Sequence, residues 1–252
     1  MQQDTFISHL IELRERLVRA TGAVLVLFLI FSFAWPGAGA IYDFLALPLM
    51  EALPQGTRMI ATGVITPFLI PLKVTALAAF MLALPYVLYQ AWAFVAPGLY
   101  AHEKKLALPI VVASTALFLI GVAFCYYFVF GRVFTFINDF APKSITPAPD
   151  IEAYFSFVIT MFIAFGVAFE IPIVVIVLVR AGIVDVQKLV EVRPYVILGS
   201  AVVAAVVTPP DAVSMLALLI PMCVLYEVGI FFSRFVTARS KSVPQDSTDP
   251  AL

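Results

Sequence analysis

Very few residues of this chain carry groups that could act on a substrate. Of its 252 residues, 63% are hydrophobic and 12% are charged, whereas ordinary soluble domains carry roughly 25% charged residues. The only histidines in the sequence are His9 and His102, and both stand outside the apolar runs. They cannot form a serine–histidine dyad within those runs, nor are they spaced for a metal ion. The inventory therefore favours binding over catalysis, with no metal, no cofactor and no nucleic-acid partner expected.

One acidic residue lies near the middle of an apolar run. Glu170 stands in the segment FGVAFEIPIVVIV, where an ionised carboxylate costs several kcal/mol unless it is paired or hydrated. Two interpretations are open. Glu170 either faces protein or water as a functional group, or it is a protonated or hydrogen-bonded residue that stabilises packing beside a kink at Pro172. Acids within membrane spans are usually functional, so the first interpretation is favoured.

Three other acidic residues stand near basic ones at the ends of apolar runs. Glu12 and Arg16 are four residues apart in FISHLIELRERL, and this pattern alone favours an ion pair on the solvated face of a helix. Glu103 in AHEKK reads equally well as a loop acid beside basic residues. Acids contribute little to membrane topology, so the presence of Glu12 and Glu103 needs another explanation. Glu227, near the end of the last run, is expected to pair with Arg234.

Six apolar runs could cross a membrane, since about 20 helical residues span a hydrocarbon core of about 30 Å. The runs lie at residues 18–35, 68–94, 106–136, 153–179, 195–207 and 212–232. They lack the alternation of barrel strands, so they predict an all-α membrane protein with six transmembrane helices. The fifth run would reach only about 20 Å as a helix. The turn TPPD at 208–211 joins it to the sixth run in a short hairpin.

The segments beside these runs complete the expected organisation. Residues 1–239 form one transmembrane domain, and the polar residues 240–252 form a disordered cytoplasmic tail. Helical spacing of apolar residues predicts an interfacial helix before the first run, and residues 41–53 predict a second one. The first run could also be a cleaved signal peptide, although its length favours a retained span. Cys125 and Cys223 fall inside apolar runs and are expected to be free.

Lysine and arginine residues are distributed unequally between the two sides of the predicted bundle. One side collects most of them, including Arg14, Lys104 and Arg193, whereas the opposite loops hold Arg58 and Lys143. Basic residues concentrate in cytoplasmic loops. Both termini are therefore predicted to lie in the cytoplasm.

Several stretches, in this order along the chain, resemble TatC, the family of signal-peptide receptors of the twin-arginine protein translocase. They are SHLIELRERL (8–17), FVAPGLYAHEKK (94–105), AFGVAFEIPI (164–173), and RPYVILGSAVVAAVVTPPD (193–211) with YEVGIFFSR (226–234). The resemblance implies a six-helix, glove-shaped bundle with a concave face in a bacterial-type inner membrane. It also implies an oligomeric complex with TatB-like and TatA-like single-span subunits, which exports folded proteins using the proton-motive force.

The same resemblance implies roles for individual residues. Glu12 and Glu103 would receive the two arginines of a signal peptide, since a guanidinium group can bind a carboxylate through two parallel bonds and a lysine ammonium cannot. Glu170 matches the buried acid of the concave face. The residues that would support the arginine site are Arg14, Phe94, Pro97 and Leu99. The residues that match the turn and the docking region of the partner subunits are Thr208 and Asp211.

Two other functions stay open from the sequence. A secondary transporter could use Glu170 as a proton or ion relay, although the chain shows no visible internal repeat. An intramembrane protease would need a dyad that the histidines do not supply. A receptor should bind a twin-arginine peptide and lose it with twin lysine, whereas a transporter should respond to a small solute.

Overall fold

The computed structural model describes residues 2–33, 38–52, 59–95, 107–140, 142, 148–208 and 211–240. Within this part of the chain no β-strand occurs, and a single isolated bridge joins Ile60 to Asp150. The helices are α1 Gln2–Phe33, α2 Ala38–Ala52, α3 Thr66–Val95, α4 Ala107–Phe124, a π-helical segment Cys125–Phe130, α5 Gly131–Phe140, α6 Ile151–Phe169, α7 Ile171–Arg180, α8 Val186–Glu191, α9 Arg193–Val207 and α10 Ala212–Ser240.

The spans follow the apolar runs of the sequence. The helical stretches long and apolar enough to cross a membrane are Ile7–Phe33, Thr66–Phe94, Leu108–Ile137, Ile151–Arg180 and Ala212–Phe235, and α9 is the short apolar helix expected as a fifth span. The all-α prediction is therefore confirmed. One difference concerns the N-terminus, because the stretch expected as a separate interfacial helix continues into the first span as one unbroken helix, α1. The predicted second interfacial helix corresponds to α2.

Aromatic side chains form much of the core. Phe130 and Phe155 are fully buried, and Phe130 stacks on Phe162 with ring centroids 5.4 Å apart. Helix α4 approaches α6 closely at Gly121, where a methyl group would come within 2.7 Å of the carbonyl oxygen of Phe165. Small residues allow such close helix packing in membranes. Helix α1 lies outside this core. It packs on α3, but none of the residues in its most apolar stretch is buried.

Pro48 explains how α2 is fastened to the bundle. A proline has no N–H, so the carbonyl of Phe44, four residues earlier, loses its helical partner. The hydroxyl of Tyr126 donates to that carbonyl at 2.8 Å, and the hydroxyl of Tyr154 donates to the neighbouring carbonyl of Leu45 at 2.8 Å. The hydroxyl groups of two tyrosines thus hold α2 by two of its backbone carbonyls.

Asp150 ties the start of α6 to the segment that follows α2. Its Oδ2 accepts a hydrogen bond from the backbone N–H of Ala153 at 3.1 Å, which caps the helix. Its Oδ1 accepts from the backbone N–H and the hydroxyl of Thr62 at 3.1 and 2.9 Å. The bonds from Ala153 and then Thr62 lower the pKa of the Asp150 carboxyl from its usual value. Nearby, Lys73 donates to Glu152 at 3.4 Å.

Candidate binding sites

A group of polar and aromatic side chains joins α1 to the end of α3. We call it the Glu12 cluster, and its members are His9, Glu12, Arg16, Gln90 and Phe94. Arg16 donates to Oε1 of Glu12 from Nε at 2.9 Å and from Nη2 at 2.6 Å. Its Nη1 donates to Oε1 of Gln90 at 3.4 Å. His9 stacks on Phe94 with ring centroids 4.4 Å apart. Arg16 therefore links the carboxylate to the neighbouring helix, while the ring pair holds the two helices together.

Arg16 engages only one of the two carboxylate oxygens of Glu12. Oε2 lies 3.9 Å from Nδ1 of His9, which is too long for a hydrogen bond. The Glu12 side chain is 38% exposed, so a ligand can reach it from solution. A carboxylate has about four lone-pair sites for hydrogen bonds. Oε2 of Glu12 can therefore accept a hydrogen bond from a further donor while Oε1 stays bonded to Arg16.

The residues predicted for the arginine site are only partly brought together. Phe94 lies in the Glu12 cluster through its contact with His9. Arg14 is exposed and forms no ion pair among the described residues, because two helical positions rotate a side chain by about 200° away from Glu12. The residues of this prediction that lie outside the described part of the chain are Pro97, Leu99 and Glu103.

Gln90 is a member of the Glu12 cluster that the sequence analysis missed. Its side chain is 5% exposed, and it is a lone amide in the apolar segment LYQAWAF. A polar side chain in such a run usually has a partner when it is buried. That rule could have marked Gln90, but the identity of its partner depends on how α1 packs on α3.

A second polar group lies inside the bundle, at the junction of α6 and α7. Glu170 is 8% exposed, and neither of its carboxylate oxygens has a hydrogen-bond partner among the described residues. The hydroxyl of Ser114 lies beside this carboxyl group, outside hydrogen-bond geometry, and accepts a bond from Nε1 of Trp92 at 2.8 Å. An unpaired buried polar group costs about 1–3 kcal/mol. A hydrogen-bond donor that reaches Glu170 would therefore bind favourably.

The local sequence explains why Glu170 stands at a helix break. Pro172 has no N–H, so the carbonyl of Ala168 cannot receive its usual bond from four residues later. The backbone tightens instead, and the N–H of Glu170 bonds to the carbonyl of Val167 at 3.1 Å. Helix α7 then begins at Ile171 with the proline in its first turn. The kink predicted from the sequence is confirmed, and it places the acid where two helices meet.

The turn between α9 and α10 is held by its own polar residues. Oδ1 of Asp211 accepts from the backbone N–H of Ser214 at 2.7 Å, which caps the start of α10. The hydroxyl of Thr208 donates to the carbonyl of Ala204 at 2.8 Å. Asp211 thus has a structural role that the sequence analysis did not assign. Its part in partner docking, and that of Thr208, stays a prediction.

Glu227 pairs with a different arginine from the one expected. Its Oε2 accepts from Nη2 of Arg193 at 2.5 Å, so the expected pair with Arg234 is wrong. Arg193 begins α9, which packs on α10, and this packing brings the first turn of α9 to Glu227. A partner from a neighbouring helix is not visible in the spacing of α10 alone.

Cys125 and Cys223 are both free, as predicted. Within the residues that the structure describes, no group of three or more potential metal ligands occurs.

The apolar spans enclose the buried acid Glu170, and one end of the bundle carries the half-exposed acid Glu12. This arrangement defines a multi-pass α-helical membrane protein with sites suited to binding. The chain matches the family model of the Sec-independent protein translocase protein, TatC, over residues 8–221. It belongs to that family and is a core subunit of a protein translocase, not an enzyme. The comparisons give no support to the transporter alternative.

Curated members of this family align with almost the whole chain. The Sec-independent protein translocase protein TatC of Haemophilus influenzae is 45% identical over 93% of this chain and 90% of its own length. That of Escherichia coli K12 is 45% identical over 94% of this chain and 90% of its own length. A crystal structure of the twin-arginine translocase receptor TatC aligns with a TM-score of 0.78 and 34% identity, covering 91% of this chain and 99% of that one.

Proposed function

We propose that this chain is the receptor subunit that binds twin-arginine signal peptides, and that Glu12 and Glu103 accept the two arginines. The observation that carries the proposal is the state of Glu12. Its carboxylate is half-exposed, already forms the kind of bond that a guanidinium group makes, and keeps Oε2 outside that bond. Guanidinium groups form strong, directional pairs with carboxylates. The site would therefore distinguish arginine from lysine by geometry.

Chain connectivity supports a shared site for the two acids. Helix α3 ends at Val95, directly after Phe94 of the Glu12 cluster, and α4 begins at Ala107 beside α3. Glu103 stands eight residues after Val95 and four residues before Ala107 in the sequence, so it belongs to the connection between these two helix ends. This connectivity supports the proposal that both acids act at the end of the bundle that carries Glu12.

Peptide affinity is the direct test of this assignment. A labelled twin-arginine peptide is titrated against wild type, Glu12→Gln, Glu103→Gln and the double variant in nanodiscs. Each charge-assisted contact is worth roughly 1.5–3 kcal/mol, so losing one carboxylate should weaken binding by about one to two decades. A twin-lysine peptide should change little. An equal preference for arginine over lysine in all four proteins would remove both residues from the site.

Orientation and localisation form a second part of the proposal. Membership of the family supports a location in a bacterial-type inner membrane, and the excess of basic residues on one side favours an orientation with both termini in the cytoplasm. A reporter fused after Arg239 should then be cytoplasmic, and a cysteine introduced at Ser144 should be labelled from outside. Labelling at Ser144 only from the cytoplasmic face would reverse the assignment.

Partner subunits form a third part. We assign TatB-like and TatA-like single-span subunits to the α9–α10 hairpin, whose short α9 leaves room for a neighbour. Exposed apolar side chains on this hairpin support the assignment, such as Val206 and Ile220, which are 79% and 57% exposed. Photo-crosslinking from Val206, with Leu108 on α4 as a distant exposed control, tests it. Equal crosslinking from both positions would count against a specific docking face.

Glu170 is assigned to the path of the apolar segment of the signal peptide. Its unpaired carboxyl group and its neighbour Ser114 offer hydrogen-bonding groups inside an otherwise apolar bundle. Glu170→Ala should reduce export while the protein stays inserted and keeps its affinity for the arginine pair. Loss of the inserted protein itself would instead assign Glu170 to packing.

A further inference from the structure

A groove opens between α2 and the π-helical segment, and none of its lining residues belongs to either of the two acidic sites. It has a volume of about 440 Å³, within the range of about 300–1,000 Å³ that is typical of small-molecule sites. Its lining residues are Phe44, Leu47, Pro48, Glu51, Tyr126, Tyr127, Gly131 and Thr135. The lining thus combines aromatic rings, aliphatic surface and one carboxylate.

The π-helical segment shapes one wall of this groove. A π-helical turn adds a residue to the helix and often occurs at functional sites. Here it presents Tyr126 and Tyr127 together, with their rings at 87° and centroids 5.0 Å apart. Tyr126 also stacks on Phe44 of α2, at 5.1 Å and 13°. Tyr127 is 70% exposed, so its ring is available to a ligand.

The charge in the groove selects for a cation. Glu51 is exposed and forms no ion pair among the described residues. Glu51 lines the same groove as Tyr126 and Tyr127, so its carboxylate lies close to the aromatic wall. A carboxylate beside aromatic rings is a favourable environment for an ammonium group, since ring faces attract cations.

The depth of the groove identifies the source of that ammonium group. One wall of the groove belongs to the span Leu108–Ile137, and the other belongs to α2, which is not among the spans and was predicted to lie at the membrane interface. The groove therefore opens at the level of lipid headgroups. Tyrosine is enriched at this level. Leu47 and Pro48 add apolar surface suited to the start of an acyl chain.

We infer that this groove binds a phospholipid with a primary-amine headgroup, phosphatidylethanolamine. The ammonium group lies between Glu51 and the ring of Tyr127, and the acyl chains run along the apolar side of α2. This site is separate from the signal-peptide function and does not depend on it.

Lipid retention measured by native mass spectrometry tests this inference on the full-length protein. Phosphatidylethanolamine and phosphatidylglycerol with identical acyl chains are supplied together, and the retained molecules are counted. Wild type should favour the amine lipid by about tenfold. Glu51→Gln should reduce the preference to about twofold or less, and Tyr127→Leu should reduce it in the same direction. Asp43→Asn removes an acid from the same helix outside the groove and should leave the preference unchanged.

A change in the lipid instead of the protein avoids any effect of a variant on folding. N-acetylated phosphatidylethanolamine keeps the phosphate and the chains but lacks the cation, so wild-type protein should retain it no better than phosphatidylglycerol. The inference fails if wild type shows no amine preference, if the acetylated lipid is retained as well as the free amine, or if Asp43→Asn and Glu51→Gln act alike. Retention of a protein subunit in place of lipid would equally overturn it.

Discussion

Substitution of Arg16 is the sharpest test of how Glu12 would bind a ligand. Its guanidinium group places two donors on Oε1 of Glu12, at 2.9 and 2.6 Å. A forked pair with an incoming arginine needs both carboxylate oxygens, so Arg16 must release Oε1 first. Arg16 also carries the same charge as the ligand. Both effects oppose binding, and we therefore predict that Arg16→Gln strengthens the binding of a twin-arginine peptide.

The structure sets the size of this effect. The Arg16 and Glu12 side chains are 24% and 38% exposed, so their pair is partly screened by solvent and is worth about 0.5–1 kcal/mol. Its removal corresponds to a two- to fivefold gain in affinity. Arg16→Lys keeps the charge but cannot form the two-donor contact with Oε1, so it should recover part of the gain. In high salt, which screens repulsion between exposed charges, the two variants should converge.

Fluorescence anisotropy of a labelled peptide in nanodiscs measures these affinities. Arg19→Gln is the matched control, because Arg19 pairs with Glu15 at 3.3 Å one turn further along α1 and both side chains are 60% exposed. It removes the same charge without touching Glu12. If Arg16→Gln weakens binding tenfold while Arg19→Gln does not, Arg16 orients Glu12 for the ligand and the competition argument is wrong.

Three further predictions concern stability and are measured by thermal unfolding in detergent. Gly121→Ala brings a methyl group within 2.7 Å of a backbone oxygen of α6 and should cost about 1–3 kcal/mol; Gly199→Ala, which meets nothing within 4 Å, should cost nothing, and equal losses would refute the packing argument. Asp150→Ala should lower the melting temperature at pH 7. Because the pKa of Asp150 is lowered in the folded state, the difference should begin to shrink as the pH falls below about 4 and continue to shrink through the lower folded pKa; a difference that does not shrink on acidification would contradict this. A double-mutant cycle on Arg193 and Glu227, which are 37% and 52% exposed, should give a coupling of at most about 1 kcal/mol, and a larger value would mean that the pair is more buried than the structure indicates.

The spans could be predicted because membrane insertion depends on the length and the hydropathy of each segment, and both can be determined from a short stretch of sequence. Length and hydropathy marked the long spans, and the short run at 195–207 corresponds to α9. The break at Glu170 was also predictable, since Pro172 removes a donor wherever it falls in a helix. The π-helical segment was not, because its sequence CYYFVF is as apolar as the helix around it. Its extra residue is accommodated by packing against other helices.

Partners of polar residues were harder to predict than their positions. Glu12 and Arg16 were paired correctly because both lie on one helix face, where a spacing of four residues fixes the distance. Glu227 was assigned to Arg234 by the same kind of reasoning, and the structure gives it to Arg193 on a neighbouring helix instead. Gln90 had no candidate at all. Spacing ranks partners within one helix, whereas contacts between helices depend on crossing geometry that the sequence does not state.

The last turns of α3 connect the two sites that were argued separately. Gln90 is buried against Arg16 in the Glu12 cluster, and Trp92 donates to Ser114 beside Glu170. Both residues belong to the same short segment of one helix, and both are less than 9% exposed. A ligand that draws Arg16 away from Glu12 would alter the environment of Gln90, two residues from the hydrogen bond that orients Ser114. The end of α3 therefore contacts both the Glu12 cluster and the surroundings of the buried acid.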